Sequence, residues 1–291
     1  MSKVVVTKEK LTAVADALRD KTEATEAYSL DEMPEVIQGI ETGGGADIEI
    51  TDVTFLFYSG ARLELYNQLA PLFKDITSTK NMFSGSDISS IDLSITDFSK
   101  VSDASSMFSN CTSESIDLSD IHIPAGTLSS MFSNCKSKRI DLSGLEYDRS
   151  VGGQLNSGYS LSMFSGCSNL EYLLFPHMHA IYRQCFYKVG SDTTDGAILD
   201  LNGSFTQISD STSFNGTSSE PCKIAALILR PTSLVKLSST STFNYCWIKT
   251  ETDKGFIYVP DDLVDTYKSA TNWTTFASKI KPLSEYVEVG A

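Results

Sequence analysis

The 291-residue sequence predicts an α+β repeat solenoid, in which short parallel strands are backed by helical or 3-10 segments, with a small helical segment before it and a helical cap after it. Two phrases carry this prediction. "Met-Phe-Ser" recurs at Met82, Met107, Met131 and Met163, in steps of 25, 24 and 32 residues, and three of the four copies place Cys four positions after Met. "IDLS" recurs at 91 to 94, 116 to 119 and 140 to 143, each copy beginning nine residues after its Met, and "YLLF" at 172 to 175 keeps the same register. Two unrelated phrases locked at one offset define a structural unit.

Within "IDLS" the Ile and Leu lie two apart and share one face of a strand, while Asp and Ser share the other. The Met-Phe phrase is then expected to be the helical or 3-10 segment that closes the opposite wall. A unit this small cannot bury its own apolar face, so neighbouring units must stack into one continuous core. The residues expected in that core are Met82, Phe83, Met107, Phe108, Cys111, Met131, Phe132, Cys135, Met163, Phe164 and Cys167. The pattern weakens but persists in "SFNG" at 213 to 216 and "TFNYC" at 242 to 246, with strand-like runs "ILDL" from 198, "ALIL" from 226 and "FIYV" from 256. Residues 48–259 are assigned to the solenoid.

Before it, "TKEKLTAVADALRD" places Leu11, Val14, Ala15 and Leu18 at helical spacing. "SLDEMPEVIQGI" follows with Ser29 and Glu32 as a capping box and Val36, Ile37 and Ile40 as a second apolar stripe. Residues 1–42 thus read as two short helices, too small to fold alone and expected to attach to a partner or to copies of the chain. Residues 43–47 are a glycine-rich linker. Residues 260–291 open on Pro260 and Asp261 and bring Trp273, Phe276, Ala277 and Ile280 to one face, the helical cap that an open solenoid end requires.

The candidate chemistry is sparse. Cys111, Cys135 and Cys167 lie 24 and 32 residues apart at one repeat phase, without the close pairs that zinc sites use, so they read as a ladder of small core residues. His177 and His179 fall on one strand face with no third ligand indicated by spacing. Asp92, Asp117 and Asp141 recur with the repeat, which makes them solvent-face or turn residues rather than an acid and base pair. No nucleophile elbow, Walker loop or dinucleotide fingerprint occurs. We therefore expect no catalytic residue, no metal ligand and no cofactor.

Charge narrows the partners. Lys and Arg number 23 against 37 Asp and Glu, a net charge of -14, which argues against nucleic acid because phosphate binding needs clustered cations. No apolar run approaches the roughly 20 residues of a bilayer span, so membrane insertion is not expected. The opening "MSKVVVTKEK" has no signal-peptide core, which leads us to expect a chain made and kept in a cytoplasm with its thiols reduced.

The paired phrases "SSMFSNC" and "IDLS" resemble the BspA-type leucine-rich repeats of bacterial surface proteins, and "IYVPDDLVDTYKSATNW" with "IKPLSEY" resembles the terminal module that often follows them. The opening "KLTAVADALRDKTEATEAYSLDEMPEVIQGIETG" is similar to N-terminal segments of tail-fibre and baseplate-associated proteins of phages infecting Firmicutes, although "KTEATEA" stands where those have a glycine turn. The resemblance implies a leucine-rich-repeat solenoid in a virion protein assembled in the host cytoplasm. Its N-terminal helices would hold it to other virion proteins, its solenoid would bind a host-surface protein or glycan, and the chain would be a homotrimer. The alternative is a bacterial adhesin or interaction module at the cell surface. The 32-residue step between Met131 and Met163 carries an insertion whose Tyr147, Asp148, Arg149 and Tyr159 are the candidate receptor-binding residues, since loops on a rigid scaffold often carry binding.

Overall fold

The structure, a computed structural model, describes residues 4–6, 48–61, 63–124, 127–145, 162–178, 181, 183–203, 205–208 and 210–287. Among the described residues eleven strands run in chain order: β1 Val4–Val6, β2 Ile48–Ile50, β3 Ser115–Asp117, β4 Arg139–Asp141, β5 Tyr172–Met178, β6 Ala197–Gly203, β7 Gln207–Ile208, β8 Ile224–Leu229, β9 Lys236–Leu237, β10 Phe256–Val259 and β11 Ile280–Pro282. Seven of them form one sheet in the order β11-β10-β8-β6-β5-β4-β3, every pairing parallel. A parallel sheet whose neighbours follow chain order, each strand returning after one circuit, is a β-solenoid. The expected "YLLF", "ILDL", "ALIL" and "FIYV" runs and two of the three "IDLS" runs lie in or overlap these strands.

Register makes the sheet side of the core one column. Ile116 stands opposite Ile140, which stands opposite Leu173, and the line continues through Leu199, Leu227, Ile257 and Ile280. All seven are buried. A slip of one residue in any rung would turn its whole apolar set outward, so burial of this column holds the register.

The opposite wall departs from expectation. The Met-Phe phrases at 82, 107, 131 and 163 are not helices but linked turns. Two residues in each unit take a left-handed backbone: Asn81, Ser106, Ser130 or Ser162 before the Met, and Gly85, Asn110, Asn134 or Gly166 two places after the Phe. The second site holds only Asn or Gly, residues that enter this region at low cost. These reversals divide the backbone amides into two alternating sets. In the second full unit the Met107, Ser109 and Cys111 amides donate to carbonyls three residues back, while Ser106, Phe108 and Asn110 donate to Ser129, Met131 and Ser133 of the next rung. Met and Phe, adjacent in sequence, are thereby both fully buried, which a strand's alternation would forbid. A 3-10 back does occur later, at Thr240–Phe243.

The phenylalanines delivered by these turns form a second column. Phe57, Phe83, Phe108, Phe132, Phe164, Phe186, Phe214 and Phe243 stack face to face with centroids 4.8 to 5.7 Å apart. Tyr66 flanks the first two rings edge-on, 5.4 Å from Phe57 and 5.5 Å from Phe83, and Phe73 lies 6.4 Å from Phe57. Phe276 packs edge-on against the last ring, Phe243, at 5.1 Å and 75°. Beside Phe276, the indole of Trp273 donates to the Val235 carbonyl at 2.7 Å, and the Tyr267 hydroxyl accepts from the Val235 amide at 3.0 Å. The C-terminal segment is not helical throughout. After the short helices Val264–Ser269 and Trp273–Lys279 it adds β11 to the sheet.

At the N-terminal side β1 pairs with β2, Val4 opposite Ile48, where the sequence reading assigned no strand. Ile50 bridges onward to Phe73 and so joins this pair to the first rung. The expected helices carrying Leu11, Val14, Leu18, Val36, Ile37 and Ile40, and the whole of the linker, lie outside the described residues.

Two substitutions measure the two columns. Phe132→Ala, in mid-stack and fully buried, is expected to cost about 3 to 5 kcal/mol in a urea melt. Asn110→Val is expected to cost about 1 to 2 kcal/mol for forcing a β-branched residue left-handed, whereas Asn110→Gly should stay within about 0.5 kcal/mol.

Candidate functional site

The residues that looked most like chemistry are consumed by the fold. All six cysteines are free and buried. The Cys111 thiol donates to the Ser86 carbonyl at 2.9 Å and Cys167 to Phe132 at 3.0 Å, each reaching to the rung before it. Burial pushes Cys167 up to about 12 and holds Cys185 and Cys222 above the ordinary thiol range, while in the Cys111–Cys135 pair the hydrogen bond between the two thiols raises Cys135 and lowers Cys111 to about 6. Cys135, Cys167, Cys185 and Cys222, held protonated, are poor nucleophiles and poor metal ligands, and Cys111 is closed off by its complete burial.

The recurrent aspartates are turn formers. Asp92, Asp117 and Asp141 each accept through Oδ1 the amide of the serine two residues on, at 2.9, 2.9 and 3.0 Å. The same Asp-x-Ser turn occurs at Asp87, Asp97 and Asp103. Such a side chain imitates the next backbone carbonyl and stops an extended segment. The serine bonds hold the carboxyls of Asp87, Asp92 and Asp97 below the usual carboxylate range. His177 lies on β5, while His179 and Tyr147, Asp148, Arg149 and Tyr159 lie outside the described residues.

One break in the solenoid leaves a site. The first "IDLS" does not join the sheet: Asp92 caps a 3-10 turn, Leu93–Ile95, by accepting from Ser94. No backbone hydrogen bond joins residues 87–95 to 115–121, although neighbouring rungs are laddered elsewhere. A cavity of about 330 Å³ occupies the gap, lined by Ile88, Ile91 and Leu93 on one side, Ile116 and Ile121 on the other, and Ser89, Ser94, Ser115, Ser119, Asp92, Asp117 and Asp120 around the mouth.

β3 is therefore the edge strand of the sheet. Alternate residues of a parallel strand bond to alternate sides. The Glu114 carbonyl accepts from Lys138 and the Leu118 amide donates to Asp141, so the even-numbered set faces β4 and the backbone groups of Ser115 and Asp117 face the cavity. The opposite edge, β11, ends in Pro282 beside Lys281, residues that discourage strand addition.

Sequence reasoning placed Asp92 and Asp117 in turns but missed the gap between them. The available signal was the density of turn formers: three Asp-x-Ser units fall between Asp92 and Ser105.

No family model matches the chain, and no curated protein matches it in sequence. Among the described residues, no helix is long and apolar enough to cross a membrane. The class defined by the fold is a β-solenoid of parallel rungs with an acidic groove at its first sheet edge.

Two expectations follow from the buried thiols and the capped carboxylates. The native chain should leave its six thiols unreacted with Ellman's reagent over minutes, and the urea-unfolded chain should release all six equivalents. A carboxyl whose folded pKa is depressed contributes stability above its unfolded value, and that contribution is lost as pH falls through the folded value. Between about pH 5 and pH 3 the wild type should lose more stability than the Asp87→Asn/Asp92→Asn/Asp97→Asn variant, in which asparagine keeps the turn without titrating.

Proposed function

We propose that the chain is a non-enzymatic binding protein, a leucine-rich-repeat solenoid of the BspA type carried by a phage particle as a tail-fibre or baseplate-associated component. Residues 1–42 attach it to other virion proteins and assemble a homotrimer, and the solenoid engages a protein or glycan on the host surface. The observation that carries the binding reading is the employment of the reactive groups: the thiols are buried and the repeated carboxylates are tied into turns. What the described residues leave at the surface is a rung stack with an open groove, and the sequence adds the insertion after Leu145 as the candidate recognition segment. The phage assignment is supported by the likeness of residues 10–43 to phage attachment segments, and the repeat assignment by the two phrases locked at a nine-residue offset.

The test has two parts. Light scattering should give a trimer for the full chain and a monomer for the chain lacking residues 1–45, while equal masses would remove the attachment role. Fluorescently labelled full chain should bind cells of its host, and Arg149→Ala and Tyr159→Ala should each lower that binding about tenfold. Wild-type binding by both variants would discard the insertion as the receptor site.

A further inference from the structure

We infer that the gap between the Leu93–Ile95 turn and β3 is a strand-addition site for an extended, cationic peptide segment of a partner protein. Three independent observations converge on it. The first is the unpaired edge: Ser115 and Asp117 present their backbone groups to the cavity, and residues 87–95 offer them no backbone bond. Ser115 and Asp117 are exposed, and an exposed strand edge without a partner is a template for main-chain hydrogen bonding, which is how peptides are captured by sheet augmentation.

The second is the floor. Ile88, Ile91 and Ile121 line the cavity beside the edge and provide apolar contact for every other side chain of an added strand. The third is charge. The lining holds Asp92, Asp117 and Asp120 and no Lys, Arg or His, so the mouth of the groove selects a partner whose outward side chains are basic. An acidic peptide would place like charges opposite one another at a cost. The occupant favoured by all three is a segment alternating Lys or Arg with β-branched residues. The inference stands on the groove alone and holds whether or not the chain belongs to a virion.

The probe is the peptide acetyl-Lys-Val-Lys-Val-Lys-Val-amide, titrated into the full chain by calorimetry at low salt. Three comparison ligands accompany it: the Glu-Val counterpart, the same Lys-Val peptide N-methylated at alternate residues, and a neutral oligosaccharide of six sugars. Hydrogen exchange of the chain is followed with and without peptide.

We expect one peptide bound per chain and slowed exchange at the Ser115 and Asp117 amides. Binding should weaken about tenfold or more for the Glu-Val and N-methylated peptides. Asp117→Asn/Asp120→Asn should weaken it about tenfold while preserving the fold, because asparagine can still accept the Ser119 amide. Ser115→Pro should abolish it by removing an edge donor. Should that variant fail to fold, the N-methylated peptide asks the same question of the native chain. Equal binding of parent and N-methylated peptides would overturn strand addition, and equal binding of basic and acidic peptides would overturn the charge selection. Oligosaccharide binding that protects Ser115 and Asp117, with none by the Lys-Val peptide, would replace the proposal with a glycan site.

Discussion

Every rung must deliver one phenylalanine ring to the same axis at about the spacing of hydrogen-bonded strands, roughly 4.8 Å, and the rest of the structure is arranged around that requirement. Rungs vary from 22 residues, between Phe164 and Phe186, to 32, between Phe132 and Phe164, yet both steps keep ring centroids 5.4 Å apart. Length variation is thus expelled to the connections between turn and strand. The constraint is enforced from the backbone: Phe83, Phe108, Phe132, Phe164, Phe186 and Phe214 each donate their amide to the residue that precedes the next phenylalanine of the stack. Each buried ring contributes on the order of 1.5 to 3 kcal/mol of burial, with a further ~0.5 to 1.5 kcal/mol for the aromatic contact. Edge-on Phe276 packs against the last ring, Phe243, and edge-on Tyr66 flanks the first two, Phe57 and Phe83.

The same economy explains the composition. Asparagine and glycine occupy the second left-handed position of the four Met-Phe units, where they enter that conformation at low cost, while Ser59, Lys188 and Tyr245 take it in other rungs. Aspartate is frequent because Asp-x-Ser turns the chain at strand ends, so part of the -14 net charge is a by-product of turn chemistry. Cysteine fills the core three places after Phe108, Phe132 and Phe164, where Val189 follows Phe186, and the Cys111 and Cys167 thiols also satisfy a carbonyl of the preceding rung.

Much of this was legible in the sequence because repetition converts local signals into a global one. The strands at 116, 140, 172, 198, 226 and 256 follow from a phrase whose two apolar residues share a face, and the buried set from Met82 to Cys167 follows from its fixed offset. The linked turns were not legible as such, since alternating left-handed residues mimic helical spacing in a five-residue phrase. The departure of residues 91–94 from the sheet escaped because an identical "IDLS" forms strand at 116 and 140; the difference lies in the turn formers that follow it, not in the phrase. Strand β1 escaped because three valines are too short a run to declare a partner forty residues away. The groove is a consequence of that one failed rung, which is why no motif announced it.

Native-state hydrogen exchange reads the rung-to-rung ladder residue by residue. If the phenylalanine column and its amide ladder carry the fold, the amides of Phe108, Phe132, Phe164 and Phe186 should be among the last to exchange, with opening free energies near the global value. Ser115 and Asp117, at the unpaired edge, should exchange orders of magnitude sooner. Phenylalanine amides exchanging as fast as those two would mean that the rungs open singly, and would contradict a continuous column as the basis of the fold.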